Sequence, residues 1–127
     1  MSQALTNGIL VSVESEYLPD RSAPGAQRYA FAYTVQITNQ GPETAQLRSR
    51  HWLITDATGE VQEVRGEGVV GAQPVLAPGE SFEYTSWCVI ATSSGSMRGT
   101  YQMISSRGQA FDAQVAEFRL AMPHSLN

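Results

Sequence analysis

A glycine-rich segment near the middle of the chain has the spacing of a phosphate-binding motif. It reads RGEGVVG from Arg65 to Gly71 and contains G-x-G-x-x-G at Gly66, Gly68 and Gly71. In dinucleotide-binding proteins these glycines join a strand to a helix, and the N-terminal amides of that helix bind a pyrophosphate. The chemistry that this spacing suggests is therefore nucleotide binding.

The residues that follow the glycines do not favour a helix. Gly71 is followed by AQPVLAPG, with Pro74 and Pro78 in the place of the helix. A proline inside a helix removes a backbone hydrogen bond and clashes with the preceding turn. The sequence therefore predicts a glycine-rich loop and no Rossmann unit.

Two functions of this loop remain open. The favoured one is conformational, since glycine permits positive φ angles and the close approach of another strand. In the alternative, successive backbone amides bind an anion such as pyrophosphate, with Arg65 adding a positive charge and Glu67 opposing it. The candidate ligand-binding residues are then Arg65, Gly66, Gly68 and Gly71.

A second polar cluster, LRSRHW, precedes the loop and is treated as a candidate surface cluster of Arg48, Arg50, His51 and Trp52. The two arginines either hold an anion or, as we favour, lie in solvent with their stems packed on Trp52. His51 is either a buried, hydrogen-bonded side chain or a ligand or base, and it has no partner close in sequence.

The sequence contains no recognisable catalytic or metal-binding pattern. No serine lies in a G-x-S-x-G setting, and no C-x-x-C or H-x-x-x-H spacing occurs. Cys88 shares the predicted inward face of its strand with Phe82 and Tyr84, which indicates a small core residue. We therefore predict no catalytic residues, no cofactor and no metal site.

Hydrophobic residues recur with a period of two along most of the chain. Within residues 28–39, the apolar odd positions are Tyr29, Phe31, Tyr33, Val35 and Ile37. Similar runs separated by Gly, Pro and Asn turns predict seven to eight strands. The predicted fold class is all-β, a two-sheet antiparallel sandwich of immunoglobulin or fibronectin type III-like architecture.

Three stretches need a closer interpretation. A change of parity predicts a bulge near Ala116–Glu117. The segment Leu47–Thr55 either has both faces partly covered or contains a bulge near His51. The apolar stretch from Gly68 to Pro78 is either an exposed partner surface or, by default, a strand that folds back onto the core.

Length and composition limit the classes of function. A chain of 127 residues predicts one domain, with a core from about 9 to 120 and flexible termini at 1–7 and 121–127. The net charge of −4 and the absence of lysine argue against nucleic-acid binding. No spanning apolar run or signal peptide is recognisable, and the single Cys88 fits a cytoplasmic protein.

The sequence resembles the bacterial ApaG proteins from about Ile9 to Leu120. The resemblance is carried by FAYTVQITNQG, by QLRSRHWLITDATGEVQEVRGEGVVGAQPVLAPGESFEYTS and by GSMRGTYQM. It implies a fibronectin type III-like sandwich, no established enzymatic activity, and an association with cobalt resistance and magnesium efflux. It also implies a gene neighbour that encodes a diadenosine tetraphosphate hydrolase, and a protein-binding role by analogy with eukaryotic F-box proteins.

Residues and resemblance together lead to one hypothesis and two alternatives. The hypothesis is a non-enzymatic, cytoplasmic binding or adaptor module that recognises a protein partner. One alternative is nucleotide or pyrophosphate binding at the Gly66–Gly71 loop, which the ApaG motif also suggests. The other alternative is the sensing of divalent cations.

Overall fold

The chain folds into strands joined by short turns. The computed structural model describes residues 1–123, so His124 and the predicted flexible residues 124–127 lie outside the described part. The strands are β1 Ser2–Thr6, β2 Ile9–Tyr17, β3 Tyr29–Asn39, β4 Ala45–Asp56, β5 Val61–Glu67, β6 Val75–Leu76, β7 Ser81–Ile90, β8 Ser94–Ser105 and β9 Ala110–Ala121. Two short 3₁₀ turns, Pro19–Arg21 and Pro24–Ala26, lie between β2 and β3.

The strands form two antiparallel sheets. One sheet has the order β1-β2-β3-β7, and the other has the order β5-β4-β8-β9 with β6 paired to the start of β4. On one side of the sandwich, β1 and β2 contact β9. On the other side, β5 and β7 are edge strands. The sandwich is therefore closed along one side and has two free strand edges along the other.

A single core lies between the sheets. The largest fully buried side chains come from both sheets and include Trp52, Tyr101, Phe31, Ile9, Ile37 and Leu47. Inward positions alternate with exposed ones along the strands, as in β9, because successive side chains of a strand point to opposite faces. The predicted all-β, fibronectin type III-like sandwich is confirmed.

Two bulges explain the irregular segments of the sequence. The register of β4 against β8 shifts between Leu47 and Ser49, which places the extra residue at Arg48. Leu47 and Trp52 therefore both face the core although their positions differ in parity. Of the two alternatives for this segment, the structure has the bulge, which lies at Arg48, before His51. In β9 the shift falls opposite Arg98, so the bulge predicted at Ala116–Glu117 is confirmed.

The N-terminal residues are part of the first sheet. The sequence predicts no regular structure for residues 1–7, yet Ser2–Thr6 forms β1 and pairs along β2. Its partly buried positions are Ser2, Ala4 and Thr6, whereas Leu5 is 61% exposed. The apolar alternation that marks other strands is therefore missing, and only pairing with β2 and contact with β9 define this strand.

The apolar stretch after the glycine loop folds back onto the core, as predicted by default. Val69 and Leu76 are buried, and β6 pairs with β4. Val70 and Val75 remain exposed. No helix follows Gly71 within the described chain, which confirms the prediction made from Pro74 and Pro78.

Candidate functional site

The glycine motif forms the end of β5 and the turn that follows it. Gly66 lies in β5, and Gly68 and Gly71 have positive φ angles of 63° and 81°. Val69 and Ala72 exchange backbone hydrogen bonds of 2.8 and 2.9 Å across the turn. Val70, at its tip, also has a positive φ of 43°. Positive φ at both central residues is the geometry of a tight hairpin turn that glycine favours.

The backbone amides of this turn are largely engaged within the protein. Gly68 N donates to Arg48 O at 2.9 Å, and the amides of Val69 and Ala72 bond each other's carbonyls. Within the described chain, Val70 N and Gly71 N make no backbone hydrogen bond, so a nest for an anion at this turn would consist of these two successive amides. Anion binding by the loop stays a prediction.

Arg65 does not lie beside the turn. Its Nη2 atom contacts Glu63 Oε2 at 3.1 Å, and both side chains are more than half exposed. The positive charge at the loop comes from Arg50 instead. Arg50 Nη1 donates to the carbonyls of Glu67 and Gly68 at 3.0 and 2.9 Å. The loop thus presents oxygen atoms to an arginine, which is the reverse of an anion nest.

Gly66 makes this contact with Arg50 possible. A Cβ atom on Gly66 would lie 2.8 Å from both Nη atoms of Arg50. The guanidinium therefore packs directly against the backbone of Gly66 while its Nη1 is fixed by two carbonyls. The sequence interpretation expected the close approach of another strand at these glycines, but the group that approaches Gly66 is the side chain of Arg50.

The four residues of the candidate surface cluster do not form one surface. Arg48 is exposed at the bulge, whereas Trp52 is 2% exposed in the core. Arg50 is partly buried and is not the solvent-facing side chain that we favoured from sequence. The bulge at Arg48 explains the difference, because it places Arg50 on the inward face together with Trp52.

A cleft opens between the free edges of β5 and β7. It has a volume of about 290 Å³, and its lining includes Tyr33, Arg50, Trp52, Gln62, Ser86 and Val89. Gln62 Nε2 donates to Val89 O at 3.2 Å and so bridges the two sheets at one end. We call this space the Arg50 cleft. In the sequence, Arg50 and Trp52 lie two residues apart and so share one face of the strand, which could have indicated this cleft. The position of the bulge was not known, so it was unclear which face was buried.

The charge of Arg50 acts on three tyrosines, of which Tyr33 lines the cleft. The hydroxyls of Tyr84 and Tyr101 are hydrogen-bonded. Burial raises the pKa of Tyr33, Tyr84 and Tyr101, and the positive charge of Arg50 partly opposes the rise. All three hydroxyls therefore stay protonated at neutral pH and act as hydrogen-bonding groups rather than as anions.

His51 lies on the outer face of the second sheet. Its Nε2 atom is 2.6 Å from Glu63 Oε2, which also contacts Arg65. The hydrogen bond from His51 and then the charge of Arg65 hold the pKa of Glu63 below its usual value. The sequence offered no nearby partner for His51, because the β4–β5 hairpin supplies it from the next strand.

We expect His51→Ala to move the pKa of Glu63 upward. The change removes the main cause of the lowered pKa, and Arg65→Gln should have a smaller effect. Because the folded-state pKa is lowered, the contribution to stability is present above the unfolded-state pKa and is lost as the pH falls through the folded-state value. Carboxyl-carbon NMR titration checks this, and an unchanged Glu63 curve in His51→Ala would contradict it.

A groove on the outer face of the first sheet surrounds Trp87. It has a volume of about 490 Å³ and is lined by residues 16–21, Ala32 and residues 85–87. The Trp87 side chain is 48% exposed, and the guanidinium carbon of Arg21 lies 5.7 Å from the centre of its ring. We call this groove the Trp87 surface.

Cys88 and the acidic residues do not add a reactive or metal centre. Burial raises the pKa of the Cys88 thiol to about 12, so the thiolate is scarce at neutral pH. Within residues 1–123, no three His, Cys, Asp or Glu side chains are grouped so as to hold a metal ion. The same residues contain no helix that is long and apolar enough to cross a membrane.

Comparison with known proteins identifies the family. The model of the ApaG domain matches residues 19–105, which include β3, the Arg50 cleft and the glycine loop. The chain belongs to the ApaG family. It is 59% identical to Protein ApaG of Anaeromyxobacter dehalogenans (strain 2CP-C), over all of both chains. It is also 60% identical to Protein ApaG of Pseudomonas aeruginosa (strain LESB58), over 92% of this chain and 93% of the relative.

A solved structure agrees with the ApaG assignment. The crystal structure of the ApaA protein from Bordetella pertussis superposes with a TM-score of 0.89. It is 56% identical in sequence, and the match covers 92% of this chain and 95% of that one. The ApaG family and the sandwich fold are therefore supported by sequence and structure alike.

Proposed function

We propose that this ApaG-family domain is a non-enzymatic binding or adaptor module that recognises a protein partner through the Trp87 surface. The observation that carries the proposal is a tryptophan exposed on an open groove, with an arginine stacked on its ring. Tryptophan, tyrosine and arginine are the residues enriched at the energetic centres of protein interfaces. Tyr17 and Arg21 line the groove beside Trp87.

The position of Trp87 also suits partner binding. It lies in β7, an edge strand that has no neighbouring strand on its outer side among residues 1–123. Val89 O faces this edge, since it accepts a bond from Gln62 of the other sheet. Because backbone groups alternate in direction along a strand, those of Trp87 share that orientation. An extended partner segment could pair with β7 and place a side chain on Trp87.

We expect Trp87→Ala to abolish capture of specific partners. The experiment compares proteins cross-linked to the wild type, Trp87→Ala, Arg21→Ala and Leu5→Ala in the native cytoplasm, the proposed location of the protein. Leu5 is the control, because it is exposed and apolar but lies on β1, at the far edge of the same sheet. Partners that bind all four proteins equally, or no reproducible partner, would contradict the proposal.

Fewer observations support the two alternative functions, pyrophosphate binding and the sensing of divalent cations. Pyrophosphate binding at Arg65, Gly66, Gly68 and Gly71 is tested by amide NMR titration, and saturable shifts confined to residues 65–72 would support it. Cation sensing would require converging donors, and residues 1–123 show no such group. We propose that any link to cobalt resistance or magnesium efflux, which the ApaG resemblance implies, acts through the protein partner.

A further inference from the structure

The Arg50 cleft contains a positive charge without a matching negative one. Arg50 is partly buried, and no carboxylate of residues 1–123 lies within ion-pair distance of it. Its hydrogen bonds to described residues are both made by Nη1, to the carbonyls of Glu67 and Gly68. Buried charges in proteins are normally paired, because removing them from water is costly. A negatively charged ligand in the cleft would supply the missing partner of this arginine.

The contacts of Arg50 fix its orientation. Gly66 packs against the guanidinium, and the two loop carbonyls hold Nη1. A guanidinium has five N–H donors in a rigid fork. With Nη1 held, the donors of Nε and Nη2 have a fixed geometry, and they make no hydrogen bond to residues 1–123. Preorganisation of this kind reduces the entropy that binding must overcome.

A residue that lines the same cleft carries a second donor without a partner among residues 1–123. The Nε1 atom of Trp52 is buried and has no hydrogen-bond partner among the described residues. Trp52 lines the cleft beside Arg50. The great majority of buried polar side-chain atoms in proteins are hydrogen-bonded. The side chain that carries this unpartnered donor therefore forms part of the wall of the cavity that contains Arg50.

The size and lining of the cleft limit the ligand. Its volume of about 290 Å³ is near the lower end of the range for small-molecule sites. The remaining lining includes the apolar residues Ile54, Val64 and Val89, and Arg50 is the single cationic residue among the lining residues. The lining also includes the polar residues Tyr33, Gln62 and Ser86. One positive charge beside polar and apolar groups matches a single negative charge attached to an apolar group. A pyrophosphate, with several charges, fits this environment poorly.

We propose that the Arg50 cleft binds one carboxylate carried on an apolar group, with Arg50 as its ion-pair partner. The carboxylate accepts hydrogen bonds from the guanidinium, and the apolar group packs against Trp52 and Val64. Ser86 and Trp87 line both this cleft and the Trp87 surface, but Arg50 lines only the cleft. Binding of a carboxylate at Arg50 can therefore occur whether or not the protein-binding proposal holds. The source of the carboxylate is either a small free acid or an acidic side chain of an extended peptide.

The experiment titrates the full chain with two matched pairs of probes. The first pair is phenylacetate and its neutral amide, phenylacetamide. The second is acetyl-Val-Glu-Val-amide and acetyl-Val-Gln-Val-amide. Binding is followed in proton–nitrogen NMR spectra by the side-chain signals of Arg50 Nε and Trp52 Nε1. Each pair differs only in whether the polar group is a carboxylate or an uncharged amide.

We expect at least one acid to shift the Arg50 signal saturably, and both amides to have little effect. Arg50→Gln should weaken binding of the acid by about tenfold or more, because a charge-assisted bond is lost. Arg48→Gln is the control, since it removes the same charge from an exposed side chain. Tighter binding of the peptide than of phenylacetate would identify a protein as the source, and the opposite order would identify a free acid.

Other results would overturn the proposal. These are the absence of any Arg50 shift with either acid at millimolar concentration, equal binding of acids and amides, or unchanged affinity in Arg50→Gln. If Arg50→Gln does not fold, the comparison of acid with amide on the wild-type protein still shows whether the cleft selects a carboxylate. Arg21 lines the Trp87 surface and not the cleft. Arg21→Ala should therefore weaken partner capture and leave the affinity for the acid unchanged, so the two proposals can fail separately.

Discussion

Replacing Trp52 with alanine is expected to lower the free energy of unfolding by about 3–5 kcal/mol. The side chain is 2% exposed and lies at the centre of an aromatic group. Its ring centre is 5.6 Å from that of Tyr33, 5.8 Å from Tyr101 and 6.1 Å from Phe118. Truncation removes these contacts and leaves a cavity between the two sheets, which the surrounding strands cannot fill.

The chain contains its own control for this experiment. It has two tryptophans, and Trp87 is 48% exposed. Trp87→Ala removes the same side chain from the surface, where the main loss is the stacking of Arg21, and should cost less than about 1 kcal/mol. Guanidinium denaturation followed by circular dichroism measures both values. Similar costs for the two variants would contradict the core position of Trp52.

Replacing Gly68 with alanine is expected to destabilise the protein by about 3 kcal/mol, from a steric overlap and a strained backbone together. Gly68 has a φ of +63°, and a Cβ there would lie 2.4 Å from Ala72 O. That oxygen accepts the bond from Val69 N, so it cannot move without breaking the turn. The change would also displace the carbonyl of Gly68 that holds Arg50.

A comparison with Gly71→Ala separates the cost of the steric overlap from the cost of the strained backbone. It has a φ of +81°, but a Cβ there would meet no atom within 4 Å. Gly71→Ala therefore adds only the backbone strain, about 1 kcal/mol. Thermal and chemical denaturation of the two variants side by side measures the difference. Equal costs at Gly68 and Gly71 would show that the contact with Ala72 does not constrain the loop.

These experiments bear on the meaning of the glycine motif. Its spacing matches a dinucleotide fingerprint, yet in this fold each glycine has a separate conformational task. Gly66 admits the guanidinium of Arg50, Gly68 admits the carbonyl of Ala72, and Gly71 closes the turn with a positive φ. A sequence motif describes chemistry only together with the elements that flank it, since a helix supplies the amides that bind phosphate.

Much of the architecture could be predicted from local pattern. Alternation within residues 28–39 identified β3, and Pro74 and Pro78 excluded a helix after the loop, because these signals act between near neighbours in sequence. The bulge in β9 was also visible, as a change of parity before Phe118. By contrast, β1 was missed, because its inward residues Ser2, Ala4 and Thr6 are small and its stability comes from β2 and β9.

The features of the candidate sites were likewise determined partly by local sequence and partly by the tertiary structure. Local sequence determined that the chain is a β-sandwich, that its centre carries a glycine turn, and that Cys88 packs toward the core. Only the tertiary structure decided that Arg50 turns inward to the loop, that Arg65 turns outward to Glu63, and that Trp52 and Trp87 have opposite environments. The physical reason is that a bulge of one residue reverses the face of every side chain beyond it, and that partners in a sheet come from strands distant in sequence.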